Sequence, residues 1–191
     1  KNNNGTFTSE GEYPTDQSPY IGNSSWGDVN MDGAPDLFMM YLSISQQIYN
    51  QIFINNDNEL AQDPTAIFPD IYNGTSAWGD YDNDGDSDLI VCGQNADESA
   101  SVTRFFKNEP TGRLIEDTNQ DLIGLKAGAF RFADLDADGD KDLIMSGWNK
   151  IEDRVITRIY KNEPLGTYTL APVQIDDFGV AYGNIDAVDF D

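Results

Sequence analysis

The nine residues Asp80–Asp88, reading DYDNDGDSD, constrain this chain more than any other stretch. Carboxylates stand at positions 1, 3, 5, 7 and 9, with Gly85 at position 6. So many like charges in so short a span repel one another unless a cation sits among them. Oxygen-only ligands at alternate positions suit Ca²⁺, which takes about 6–8 oxygens. The glycine admits a left-handed turn, so the chain can curl and aim successive side chains inward. The stretch also recurs. Asp28–Asp36 reads DVNMDGAPD, Asp134–Asp142 reads DLDADGDKD, and Asp189-Phe190-Asp191 matches the first three positions of a fourth copy. First positions fall at 28, 80, 134 and 189, giving spacings of 52, 54 and 55 residues.

Repetition at this length signals a solenoid, a propeller or an array. Aligning the copies predicts four short β-segments per unit. The first precedes the loop: Ser24–Gly27, Ser76–Gly79, Ala129–Ala133 and Asn184–Val188, with Trp26, Trp78 and Phe132 two residues before the first Asp. The second leaves the loop as an apolar run suited to a buried strand: Leu37–Tyr41, Leu89–Cys92 and Leu143–Ser146. The third is Gln47–Asn55, Val102–Asn108 and Val155–Asn162; its last two copies continue into KNEP. The fourth is Leu60–Gln62, Arg113–Glu116 and Thr167–Leu170. Lys1–Thr8 fits the end of a third segment, so residues 1–191 read as three complete units with a partial unit on each side. Four antiparallel strands joined by tight turns make the blade of a β-propeller. The expectation is therefore an all-β chain, one β-propeller region or an arc of one, continued at both ends by further blades or a partner chain. A parallel β-helix repeats at a shorter period than this.

WGDYDNDGDSDLIVCG followed by RFFKNEPTGRL resembles the FG-GAP/VCBS repeat, the unit of integrin α-subunit-like propellers. That resemblance covers essentially the whole chain. It implies calcium in the hairpin between the first and second strands of each blade, and a propeller of more blades than these residues supply.

Position assigns roles within the loops. Asp80, Asp82, Asp84 and Asp88 would ligate through side chains, and Asp86 through its carbonyl with its side chain outward. The same logic gives Asp134, Asp136, Asp138 and Asp142 with the carbonyl of Asp140, and Asp28, Asn30, Asp32 and Asp36 with the carbonyl of Ala34. Asp189 and Asp191 would begin a fourth site. Asn30 removes one ligand charge and Pro35 stiffens the turn, so the first loop is expected to bind most weakly. Position 12, acidic in an EF-hand, is here Met39, Val91 or Met145, so that fold is excluded.

These loops hold 15 of the 34 acidic residues, so much of the net charge of −23 is a metal requirement. An acidic chain of this kind is unsuited to nucleic acid, which wants a basic face. There is no histidine, which removes His-based metal sites and His acid–base catalysis, and one cysteine, Cys92, which removes an internal disulfide framework. No apolar run approaches the roughly 20 residues of a membrane-spanning helix. Sequons stand at Asn4, Asn23 and Asn73.

No catalytic constellation or phosphate loop emerges. The expected function is a non-enzymatic, extracellular, calcium-stabilised module for adhesion, recognition or surface assembly, with a protein or glycan ligand at the cell surface. The alternative is a lectin, or the propeller part of a polysaccharide-degrading enzyme. Trp26, Trp78 and Phe132 are expected in the core between blades. Ligands are expected on the face opposite the loops, at Gly93–Ser101, Gly147–Asp153, Asp63–Asn73, Thr118–Ala127 and Pro172–Val180, whose unequal lengths contrast with the constant loops.

Overall fold

The computed structural model describes residues 2–3, 6–7, 19–57, 59–163, 166–172, 175 and 179–187. β1 (Asn2–Asn3) and β2 (Thr6–Phe7) form a small antiparallel pair. Three four-stranded antiparallel sheets follow, each a meander in chain order. The first holds β3 (Pro19–Gly27), β4 (Asp36–Ser43), β5 (Ile48–Asn56) and β6 (Glu59–Gln62). The second holds β7 (Ile71–Gly79), β8 (Asp88–Asn95), β9 (Ser101–Glu109) and β10 (Arg113–Asp117). The third holds β11 (Lys126–Ala133), β12 (Asp142–Asn149), β13 (Arg154–Glu163) and β14 (Thr167–Leu170). No helix occurs among the described residues. β7 lies against β3, and β11 against β7, so the three sheets stack as consecutive blades of a propeller arc.

The middle sheet shows why its strands read as unbroken apolar runs. Side chains alternate across a strand, and here both faces are covered. Leu89 and Val91 point into a core shared with Val29, Phe38, Met40 and Ile52 of the first sheet and its loop. Ile90 and Cys92 point the other way, onto Leu125 of the following linker and Phe130, Leu143 and Met145 of the third. On β9, Phe106 and Phe105 divide in the same manner. The outermost strand of the first sheet, β6, is exposed at all four residues, and its polar sequence ELAQ blunts the edge. Cys92 is wholly buried, and burial pushes its thiol up to about 12, so it is an inert core residue.

The aromatic residues two before each loop divide. Trp78 and Phe132 lie between sheets, where a Cβ at Gly27 would come within 2.3 Å of the Trp78 ring and one at Gly79 within 2.8 Å of the Phe132 ring. Glycine before the first loop Asp is thus the seat of the next sheet's aromatic. Trp26 differs from expectation: it is 56% exposed. Trp148, expected in a connection, belongs to β12, opposite Val155 of β13, and is half-buried.

Candidate metal centres

Each acidic loop joins the first strand of its sheet to the second, β3 to β4, β7 to β8 and β11 to β12. All three share one backbone. Position 6 is left-handed at Gly33, Gly85 and Gly139, with φ of 86°, 95° and 101°. Position 4 is left-handed too, at Met31, Asn83 and Ala137 (φ 56°, 59° and 62°). The sequence announced the first of these turns and concealed the second, since methionine and alanine carry no left-handed preference. The curl turns backbone N–H groups onto the carboxylate at position 1. Asp28 accepts from Asp32 and Gly33 N–H (3.1 and 2.9 Å), Asp80 from Gly85 N–H (3.1 Å), and Asp134 from Asp138 and Gly139 N–H (3.2 and 3.1 Å).

Position 9 is the structural anchor. Asp36, Asp88 and Asp142 are buried, and each accepts two backbone N–H groups. One Oδ takes the N–H of position 2, Val29, Tyr81 or Leu135, at 2.9–3.0 Å. The other takes the N–H of Asn55, Asn108 or Asn162 at the end of the third strand, at 2.8–2.9 Å. One carboxylate therefore ties the loop to two strands of its own sheet.

The asparagine then reaches outward. Asn108 Nδ2 donates to the Val29 carbonyl (2.7 Å), and Asn162 Nδ2 to the Tyr81 carbonyl (2.7 Å), in each case in the loop of the preceding sheet. The turns that follow also lie on that loop. A Cβ at Gly112 would come within 3.3 Å of Asn30, and one at Gly166 within 2.6 Å of Asp82. The first and second loops are therefore the floors on which the next sheet's third–fourth hairpin rests. Among the described residues no preceding loop lies beside Asn55, whose Nδ2 donates to the Pro35 carbonyl of its own loop (3.1 Å). The KNEP recurrence was visible in the sequence; its partners were not, being about eighty residues away.

The carboxylates converge. One oxygen each from Asp80, Asp82 and Asp88 lies within 4.8 Å of the others, and so do one each from Asp134, Asp136 and Asp138. In the second loop Asp80, Asp82 and Asp86 each leave an Oδ1 buried and without a hydrogen-bond partner. Asp86 itself is only 6% exposed, so its side chain turns inward, not outward as position 7 was expected to. Burial, with the charge of Asp84 beside it, raises Asp86 to about 6. Burial raises Asp88 to about 7 against the lowering effect of its two N–H donors. Orphaned buried oxygens on carboxylates reluctant to ionise are a donor set that a hard cation would complete. The residues present fit a metal ion, and such an ion would be held by oxygen alone. In the first loop no three acids converge among the described residues: Asn30 Nδ2 instead donates to Asp32 Oδ2 at 2.9 Å. The second loop differs from the third at position 5, because Asp84 Oδ2 is drawn to Lys107 Nζ (3.2 Å). Asp189 and Asp191 lie outside the described residues.

The opposite end of the sheets carries the irregular connections. The strands extend further than expected, leaving tight turns at 96–100 and 150–153 and linkers at 63–70 and 118–124. Beside the first linker is a cleft of about 200 Å³ lined by Tyr49, Asn50, Gln51, Gln62, Asp63 and Asp70 among others, with Asn50 Oδ1 buried and unpartnered.

Residues 80–145 match the family model of the FG-GAP-like repeat, a span that starts on the first Asp of the second loop and runs through the third. No curated protein matches the chain.

Proposed function

The chain carries an FG-GAP-like repeat, and on that premise we propose that it is a calcium-stabilised, non-enzymatic recognition module acting in adhesion or surface assembly outside the cell. The observation that carries the calcium reading is the second loop, where oxygens of Asp80, Asp82 and Asp88 converge and the Oδ1 atoms of Asp80, Asp82 and Asp86 are buried without partners. An all-oxygen donor set of this charge suits Ca²⁺ over a transition metal. Extracellular modules bind calcium at about 10⁻⁴–10⁻³ M, which matches calcium outside cells and not resting cytosol.

The ion's work in this reading is mechanical. It would draw positions 1, 3 and 9 together, and so fix the carbonyl of position 2 on which the next sheet's asparagine closes. Calcium would then stiffen the joint between blades as well as its own hairpin. The recognition surface would be the opposite end, where turns and linkers vary while the loops stay constant. There the cleft beside Tyr49 offers amides and carboxylates that match the hydroxyls of a glycan, and a glycan is the ligand class it favours.

Thermal melts with calcium and with excess chelator, coupled to a metal count by native mass spectrometry, test the reading. About three ions per chain and a large upward shift are expected; a free ligand at 100 times its Kd stabilises by about 2.7 kcal/mol per site. No bound metal and no shift would refute it.

A further inference from the structure

Two loops contain a positive charge of their own. Lys107 Nζ bonds Asp82 Oδ2 and stands 3.2 Å from Asp84 Oδ2, bridging positions 3 and 5 of the second loop. Lys161 Nζ bonds Asp136 Oδ2 at position 3 of the third. Both lysines immediately precede the asparagine that crosses to the preceding sheet, so strand register delivers them to the same place. The first unit has Ile54 in that register, and position 3 of its loop is Asn30, not aspartate. Lysine and the position-3 carboxylate are present together in the second and third units and absent together in the first. The pairing is felt by the groups involved. Lys107 is held above its ordinary range by its bond to Asp82. Asp84, which burial pushes up, ends below its range through the Asp86 N–H and Lys107. Asp136 is likewise lowered by Lys161.

The position of the ammonium matters. Asp84 Oδ1 accepts from the Asp86 N–H (3.2 Å), and its Oδ2 is the oxygen nearest Lys107. Asp82 and the nine-tenths buried Asp86 keep Oδ1 buried and unpartnered. Lysine thus stands where a divalent ion would gather positions 3 and 5.

We propose that Lys107 and Lys161 are built-in counter-cations that compete with the divalent ion, Lys107 for the position-3 and position-5 carboxylates and Lys161 for that of position 3, and so set the affinities of the second and third loops. This rests on the metal reading above. Without metal each lysine relieves the repulsion of a five-carboxylate loop; with metal it must be displaced or tolerated as a like charge. The first loop carries fewer acids and no internal competitor, so its affinity deficit is smaller than its carboxylate count suggests.

The test is a calcium titration of the full chain followed by amide NMR, with Gly33, Gly85 and Gly139 reporting one loop each. A single charge about 6 Å from a divalent ion corresponds, even in bulk water, to about tenfold in affinity. Lys107→Met should therefore tighten binding at Gly85 about tenfold or more and leave Gly33 unchanged. Lys161→Met should do the same at Gly139, and Lys107→Arg should bind as the wild type does. The metal-stripped Lys107→Met chain should also melt below metal-stripped wild type, and the gap should close in saturating calcium. Equal or weaker binding at Gly85 in Lys107→Met, with wild type binding normally, overturns the proposal, since lysine would then be orienting Asp82, not competing for it. Failure of wild type to bind calcium at any of the three glycines instead overturns the metal reading itself.

Discussion

The contact between consecutive sheets can be isolated by three substitutions of one residue type in one register: Asn55→Ala, Asn108→Ala and Asn162→Ala. All three keep the backbone N–H that serves the buried Asp36, Asp88 or Asp142. All three also remove an Oδ1 that is buried without a partner, so that contribution cancels in comparison. They differ in what the amide nitrogen holds. Asn108 and Asn162 bond the carbonyls of Val29 and Tyr81, residues 1% and 2% exposed, in the neighbouring sheet. Asn55 bonds an exposed carbonyl in its own loop. Losing the bond costs about 1 kcal/mol, and stranding a buried carbonyl adds about 1–3 kcal/mol, whereas water replaces the exposed partner at little cost. Asn108→Ala and Asn162→Ala should each lose about 2–4 kcal/mol, and Asn55→Ala less than about 1 kcal/mol. For a domain of this size that is roughly 4–16 °C against less than about 4 °C. Urea denaturation at fixed calcium, compared at unchanged m, measures the difference. Equal losses for the three variants would show that the asparagine matters within its own sheet and that the cross-sheet bond contributes nothing.

Three further outcomes are expected. Burial holds Asp86 and Asp88 at about 6 and about 7 in the fold against 3.8 when unfolded, so their contribution is fully present below about pH 4 and is lost as pH rises through 6 to 7. Metal-stripped protein should accordingly melt higher at pH 5 than at pH 8, and saturating calcium should reverse that order; an unchanged order would contradict the placement of these carboxylates. Ala137→Gly relieves a left-handed residue at φ 62° and should stabilise the third loop by about 0.5–1 kcal/mol in thermal melts, where the same change at right-handed positions destabilises. Gly79→Val drives a side chain into the Phe132 ring, which a Cβ alone would approach to 2.8 Å, and should cost about 2–3 kcal/mol in chemical denaturation.

The loops and their period were legible because their chemistry is local: alternate acids around a glycine have few explanations other than a curled, cation-seeking turn. The strands were legible in their buried middles, as at Leu89–Cys92, but not at their polar ends. Those extend to Asn95 and Asn149 because backbone pairing continues after the apolar run stops. What stayed hidden depends on neighbours distant in sequence. The inward turn of Asp86 and the reach of Asn108 to Val29 follow from which sheet lies beside which. Lys107 stood in plain view in KNEP, yet its role required the register that brings β9 over the β7–β8 loop.

The asparagine bond between sheets has a direction. The middle sheet offers the Asn108 amide on one side and the Tyr81 carbonyl on the other, so the two surfaces that meet are different surfaces. A contact of that kind cannot be satisfied by a two-fold axis, which would set amide against amide and carbonyl against carbonyl. Units added through it share one polarity, head to tail. They close into a ring when the rotation per unit divides a full turn, and otherwise wind on as a spiral. A single amide, repeated in register, thus restricts the symmetry of anything assembled through this joint.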